Sequence, residues 1–490
     1  MKFNLSREFI ILLLILILAS FVRLYQIFDL NFFTYDQARD ALFIKRIIID
    51  HKFRLIGTQS SIPGLYTGPF YYYLMVPFLL LFNLNPAGLD LGTAFFGVIS
   101  VYLLYIILKS LTKNSWVSLI IAALYALQPQ IVQQSRFAWN PNTTPFFVLI
   151  FILSLHKLIN GSRLYWLGVF IPLAIVLQLH YSGMCLIPAL MIIVFMFRKK
   201  IVLGKWFFLS VFIFCVLMSP LVFFDVRHDF ISIKAVVKYL IEGTKSNIPP
   251  PPFVWGIFDK MRYLLVELVF GIKNYFISIT AILSLLIFSI YTIIKKPASR
   301  EGLIITWTIF LLGVLIASIY KGSFFNFYLT FLYPLGFLIL GILLKTIWKL
   351  LAVKIFATFL LLIVIIFNLK ASTVSLKRNN LTPDFLKVTS VIASDINDYK
   401  QINLVRVGGA DRFDYNAVDY RYFLETFQHK KVLDWDVLDY QNAEILYLIS
   451  HEGEVNPLAL NVWEINMFSP KEIVNRWKVN DMIWIYKLNK

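Results

Sequence analysis

Cysteine and charge are both scarce in this chain. Only two cysteines occur among 490 residues, Cys185 and Cys215. Both fall inside apolar runs, so they read as small hydrophobic fillers and no disulfide framework is expected. Charged residues make up 15% of the chain and hydrophobic residues 59%, which excludes the set of soluble domains that this length would otherwise suggest. A phosphate-binding glycine loop, an HExxH pair, paired Cys/His spacings and a repeated half with interrupted helices are all missing from the sequence. Energised transport and zinc chemistry therefore have no support in it.

What the chain does have is a series of apolar runs of about 20 residues, the length that crosses a hydrocarbon core. They repeat from residue 9 to about residue 369 and then stop. A polytopic α-helical membrane protein is expected over 1–369, followed by a small domain over 370–490. The formal charge of +18 is uneven: residues 370–490 are nearly balanced, with 15 Lys and Arg against 16 Asp and Glu, so the basic excess belongs to the membrane part. It calls for a topological explanation and gives no reason to expect a nucleic-acid partner.

The first run, Phe9–Val22, follows Lys2 and Arg7 without a small-x-small cleavage site, and reads as a retained span with the N-terminus inside. If every later run crossed, Lys109 and Lys113, the Arg198–Lys205 cluster, and Lys295, Lys296 and Arg300 would all face outside. The segment Gly68–Phe82 is short and carries Pro69 and Pro77. Laying it in the outer interface puts every basic cluster inside.

The expected order is then a first span near 9–28 and a first outer loop near 29–86 with interfacial helices near 36–50 and 69–83. Further spans follow near 87–108, 116–134, 144–159 and 164–179, then one returning to the Arg198–Lys205 cluster. A span near 206–224 leads to a second outer segment containing Pro249–Pro252, and four more lie near 275–294, 302–320, 328–346 and 351–369. Eleven crossings leave the C-terminal domain outside. Of the acidic residues in 1–369, only Glu8 and Glu301 then fall inside, so the outer face is where chemistry is expected.

The C-terminal domain reads as α/β. Helices are predicted over Pro383–Asp398, Tyr420–Phe427 and Pro470–Trp477, and strands over Ile402–Val407, Ile445–Ile449, Val462–Met467 and Met482–Lys487. The Gly408-Gly409 pair after the first strand lacks a third glycine and is read as a turn.

The stretch Phe33-Thr-Tyr-Asp-Gln-Ala-Arg-Asp-Ala41 stands out on the outer side. In a helix it sets Asp36, Arg39 and Asp40 on one face, against the plain alternative of a solvated surface beside a span. Other polar groups expected on the rim are Arg136, Asn140, Asn142, His180, Tyr181, Asp225, Arg227, His228, Lys321 and Tyr328. Arg23 lies within the outer end of the first span, where a charge either serves a function or snorkels to the surface. A carboxylate among Arg, His and Tyr at a membrane rim suits transfer of a sugar from a polyprenyl phosphate. That reaction needs a base for the acceptor hydroxyl and cations for the departing phosphate.

The order of an apolar span, Tyr35-Asp-Gln-Ala-Arg-Asp40, Gly68-Pro69-Phe-Tyr-Tyr-Tyr73-Leu and Ser135-Arg136-Phe-Ala resembles the protein O-mannosyltransferase and aminoarabinose transferase group. These are membrane glycosyltransferases of the GT-C superfamily. The resemblance implies that Asp36 is the catalytic base, with Gln37 where a Glu is usual, and that Gly68-Pro69 stands in place of a His-Pro-Pro element. Where the family often has a second Asp, this chain has Asn140 and Asn142, which puts a metal-bridging role in doubt.

The resemblance also implies a lipid-phosphate-linked sugar donor, inversion at the anomeric carbon, and a metal-independent or weakly metal-dependent reaction. A divalent cation is the one cofactor it would admit. Arg39, Arg136, His180, Tyr181, Lys321 and Tyr328 become candidates for donor and phosphate contact, and Asp40, Asn140, Asn142 and Tyr71 for the sugar or acceptor. The acceptor is a lipid, glycan or protein, and the protein is expected in the plasma membrane with its site and C-terminal domain extracytoplasmic. Two other readings remain: a lipid-linked glycan flippase, which would place polar residues through several spans, and a glycan polymerase or ligase, which would favour paired arginines in large outer loops.

Overall fold

A computed structural model describes residues 6–30, 33–243, 252–295, 299–371, 382–396, 401–408 and 414–490. The chain forms two compact units. One comprises Met1–Ile27, Arg54–Leu74 and Asp90–Leu376, and the other Phe28–Phe53, Met75–Leu89 and Lys377–Lys490.

The first unit is helical. Among the described residues six helices are long and apolar enough to cross a membrane, namely Ala87–Thr112, Asn140–Ile159, Lys205–Arg227, Tyr275–Ile294, Arg300–Ile319 and Asn326–Ile347. A seventh is the pair Ser115–Leu127 and Pro129–Ser135, which the sequence reads as one continuous span but which bends by 63° at Gln128. Pro129 has no N–H to donate to the preceding turn, so the ladder breaks there. The Gln128 side chain restarts it by accepting from Ile131 N–H at 2.8 Å.

Further apolar helices lie at Arg7–Leu24, Trp166–Leu179, Leu186–Met196 and Leu351–Ala371. Phe70–Leu81, which contains Pro77, has 12 residues. That is about 18 Å of helix against the roughly 30 Å of a hydrocarbon core. Of the Pro249–Pro252 run, only Pro252 lies within the described residues.

Arg23 settles on neither sequence alternative's terms, because it is wholly buried. Its Nε donates to Ser135 Oγ at 3.1 Å, and its Nη1 donates to Ala19 O at 3.1 Å and Ala126 O at 2.8 Å. The guanidinium thus binds a carbonyl beside the Gln128 break, where backbone acceptors lack helical partners.

The second unit contains a four-stranded sheet of order β1-β2-β4-β3, with β1 Ile402–Val407, β2 Ile445–Ser450, β3 Glu472–Lys478 and β4 Trp484–Asn489. β1 and β2 are parallel and the other pairings antiparallel. β2 is buried along its whole length, as its unbroken apolar run requires. Val405, Leu446, Leu448, Phe468, Tyr486 and Leu488 form the core on one side.

Two elements exchange type relative to the sequence reading. Residues 462–467 were expected as a strand and are the helix Trp463–Phe468, which buries Ile465 and Phe468 at a spacing of three. Residues 470–477 were expected as a helix and are edge strand β3, almost fully exposed, whose conformation comes from pairing with β4 and not from any apolar period.

The helix Tyr35–Ile48 belongs to this second unit. It opens with a capping box in which Gln37 Oε1 accepts from Thr34 N–H at 3.0 Å. It buries Ala38, Ala41, Leu42 and Ile44 completely and packs against the helix Val418–Phe427.

Candidate active site

In the second unit, one turn of the Tyr35–Ile48 helix gathers Asp36, Arg39 and Asp40. Arg39 Nη1 lies 2.7 Å from Asp36 Oδ1, while Nη2 and Nε donate to Asp40 Oδ1 at 3.0 and 3.1 Å. The two carboxylates differ in access: the Asp36 side chain is 38% exposed and that of Asp40 1%. Asp36 is therefore the one a hydroxyl can reach. Arg39, expected as a phosphate contact, has its guanidinium engaged by both carboxylates and lies 5.7 Å over the Tyr35 ring. Gln37 completes the capping box of the Thr34 N-cap.

The far end of the same helix carries Lys45 and Arg46. Both are buried and meet Glu425, with Arg46 Nη2 2.7 Å from Oε1 and Lys45 Nζ 3.3 Å from Oε2. Arg46 Nη1 reaches Asp434 Oδ1 at 2.7 Å. Glu425 and Asp434 push the Arg46 guanidinium above its ordinary range, overcoming the opposing effect of burial. None of this network was expected from sequence, because its partners lie hundreds of residues apart.

In the first unit, several expected rim residues come together where the Trp166–Leu179 helix ends. His180 caps that helix, and its ring lies 5.3 Å from Tyr328 and 6.1 Å from Phe327. Its Nδ1 accepts from Ser182 N–H at 3.2 Å, which leaves the ring proton on Nε2. Burial pushes the His180 imidazole down to about 4, so it offers a neutral N–H donor and no positive charge. Tyr181 donates to Tyr66 O. Asn140 is buried and its Nδ2 donates to Leu179 O at 2.5 Å, beside Trp139, whose ring packs 4.3 Å from Phe327.

Asn142 Nδ2 holds Phe137 O at 2.9 Å. Arg136 Nη1 donates to Arg23 O at 2.6 Å and Val22 O at 3.3 Å, closing the Arg7–Leu24 helix. Burial lowers the Arg136 guanidinium, and the charge of Asp90 opposes that. Asp90 was counted only as an outer-rim acid in the sequence. It is nearly fully buried, and its Oδ1 accepts from Ala138 N–H at 2.7 Å, so it shapes the Arg136–Asn142 loop. Its signal was an acid in the first turn of an apolar span.

Lys321 is exposed, with its backbone N–H on Tyr239 OH at 2.9 Å, and Tyr71 is buried. Gly68 donates to Gln178 O at 2.9 Å, and a Cβ there would stand 2.3 Å from Gln178 Cγ, so only glycine lets the chain enter the Phe70–Leu81 helix by this route.

Among the described residues no three His, Cys, Asp or Glu side chains converge as a metal-binding group. Asp36 and Asp40 both face the Arg39 guanidinium, so this pair does not fit a divalent cation.

Residues 66–224 match the family model of the dolichyl-phosphate-mannose-protein mannosyltransferases. No curated protein matches by sequence. Among solved structures, ArnT from Cupriavidus metallidurans in the apo state aligns with TM-score 0.59 at 12% identity, covering 98% of this chain and 97% of that one. The same protein bound to undecaprenyl phosphate aligns with TM-score 0.57 at 11% identity and the same coverage. The oligosaccharyltransferase AglB from Archaeoglobus fulgidus, in complex with an inhibitory peptide and a dolichol-phosphate, aligns with TM-score 0.53 at 13% identity over 92% of this chain and 70% of that one. The chain is thus an integral membrane protein with the GT-C fold, similar to the membrane glycosyltransferases of the protein O-mannosyltransferase and aminoarabinose transferase group.

Proposed function

We propose that this protein transfers a hexosyl or pentosyl group from a polyprenyl-phosphate carrier to a lipid, glycan or protein acceptor on the extracytoplasmic face. The carrying observation is the accessible Asp36 carboxylate at the first turn of a capped helix, with Arg39 holding it beside buried Asp40. The similarity of residues 66–224 to a family of lipid-phosphate-sugar transferases supports the donor class.

In this reading the acceptor O–H gives its proton to Asp36 as its oxygen bonds the anomeric carbon. The bond from that carbon to the phosphate oxygen breaks with its electron pair going to the phosphate, and the configuration inverts. Phosphate is already a competent leaving group, so no general acid is required. The departing phosphate calls for cations and hydrogen-bond donors; the candidates by chemistry are the charged Arg136 and Lys321 and the neutral His180 Nε2 and Tyr328 hydroxyl. Asn140 and Asn142 can bond sugar hydroxyls but cannot act as bases. Eleven crossings, with the basic clusters inside, would put the helix of Asp36 and the C-terminal domain outside.

The test is transfer by purified protein from a panel of polyprenyl-phosphate sugars, with wild type and Asp36→Asn in the same membranes. A loss of about a hundredfold or more in the variant is expected for a missing general base. Transfer that survives unchanged overturns Asp36 as base. Wild type inactive with every donor, yet moving a lipid-linked glycan across the bilayer, overturns the enzyme reading.

A further inference from the structure

We propose that Glu425 is a positioning residue for Asp36, and that the C-terminal domain serves the reaction by clamping the helix that carries the base. This rests on the reading of Asp36 as base.

The helix Tyr35–Ile48 is held at both ends by residues more than 330 positions away in sequence. At its C-terminal end Arg46 makes a forked contact with Glu425, Nη2 to Oε1 at 2.7 Å and Nε to Oε2 at 3.3 Å, and Lys45 Nζ joins Oε2 at 3.3 Å. All three side chains are less than a tenth exposed. A planar fork on a carboxylate fixes orientation as well as distance, which a lone lysine would not do. At the other end, Tyr35 OH accepts from Asn416 Nδ2 at 3.3 Å, and Phe33 packs its ring 5.9 Å from Phe385 and 5.6 Å from Phe423.

Asp36 and Arg46 are ten residues apart, about 15 Å along a helix whose internal hydrogen bonds make it move as a rod. Rotation at the Arg46 end therefore becomes displacement of the carboxylate. Burial stability alone does not require this arrangement, because a well-packed apolar contact would do as well as a buried ion network. What the forked pair adds is a fixed register of the base-bearing helix. Misplacement of a catalytic group by about 1 Å is enough to cost roughly a hundredfold in rate.

The experiment uses the full chain in lipid nanodiscs and the donor accepted by wild type. Glu425→Gln keeps an acceptor oxygen but removes the charge that holds Lys45 and Arg46. It is expected to lower kcat about tenfold with donor KM within about twofold, and to speed hydrogen exchange across Tyr35–Ile48. Glu425→Asp is expected to recover part of the rate. Combined with Asp36→Asn, Glu425→Gln should add almost nothing, because it acts through a base already removed.

Glu454→Gln, which breaks an exposed ion pair with Arg476 elsewhere in the domain, should leave kcat unchanged. If Glu425→Gln does not fold, Asn416→Ala, which removes only the bond to Tyr35, is put through the same cycle. Loss of transfer in Asp36→Asn together with an unaffected or fully additive Glu425→Gln overturns the proposal alone. An Asp36→Asn variant as active as wild type overturns the base and the proposal with it.

Discussion

Asp36 and Asp40 share one guanidinium but not one environment: both bond Arg39, yet only Asp36 is open to solvent. Exchanging each for its amide should separate their roles. Asp36→Asn keeps the shape and removes the proton acceptor, so kcat should fall about a hundredfold or more with the thermal midpoint nearly unchanged. Asp40→Asn keeps the ion pair of Arg39 with Asp36 but puts a neutral amide at the buried position beside the guanidinium. Its main effect should be a lower thermal midpoint, with a smaller loss of kcat. The pair is checked by kinetics and unfolding in the same detergent.

Gln37 closes the capping box of Thr34. Gln37→Ala should destabilise the helix start by about 1 kcal/mol. Gln37→Glu keeps the acceptor and places a negative charge in the first turn, so it should be neutral or slightly stabilising. Thermal unfolding of the two variants reads this out, and equal midpoints for both would show that the cap contributes nothing.

Much of this fold is legible in sequence because apolar runs and turn residues report local structure. The helices Tyr35–Ile48 and Thr144–Ile159 and strand β1 lie within a residue or two of their predicted ranges. The bend at Gln128 was also written in the chain as Pro129, but a run of apolar residues on both sides masks it. Edge strand β3 could not be read, because its conformation is imposed by β4 and its side chains are exposed on both faces.

The site was legible only in part. Asp36, Arg39 and Asp40 are neighbours in sequence, so helical spacing brings them together. The meeting of Arg46 with Glu425, or of Asp90 with the Ala138 amide, depends on tertiary packing that no local pattern encodes.

Gly68 tests how tightly the entry to the Phe70–Leu81 helix is built. A methyl group there would fall 2.3 Å from Gln178 Cγ and 2.5 Å from its Cβ. Gln178 cannot swing away freely, since it is buried and its Nε2 donates to Leu217 O at 2.9 Å. Gly68→Ala should therefore destabilise the protein by about 1–3 kcal/mol. Gly161, whose added Cβ would meet nothing within 4 Å, has a φ of +94°. Gly161→Ala should thus show backbone strain without a clash, and the smaller of the two losses.

His451 predicts a pH dependence of the C-terminal domain. Its Nε2 lies 2.6 Å from Tyr420 OH, and burial, with a further contribution from the Arg406 charge, pushes the imidazole down to about 4. In the unfolded chain an imidazole titrates near pH 6.5. The folded state therefore binds fewer protons than the unfolded state between these values, so stability falls as the pH is lowered through that window. The contribution is fully present above about pH 6.5 and is lost progressively down to about pH 4, where the folded form also takes up a proton. Replacing His451 with Gln, which keeps a hydrogen-bonding side chain beside Tyr420, should reduce the slope of thermal midpoint against pH between 6.5 and 4 in the full-length protein. A slope identical to wild type would mean that other groups carry the acid sensitivity, and that the Tyr420–His451 contact does not hold the imidazole neutral.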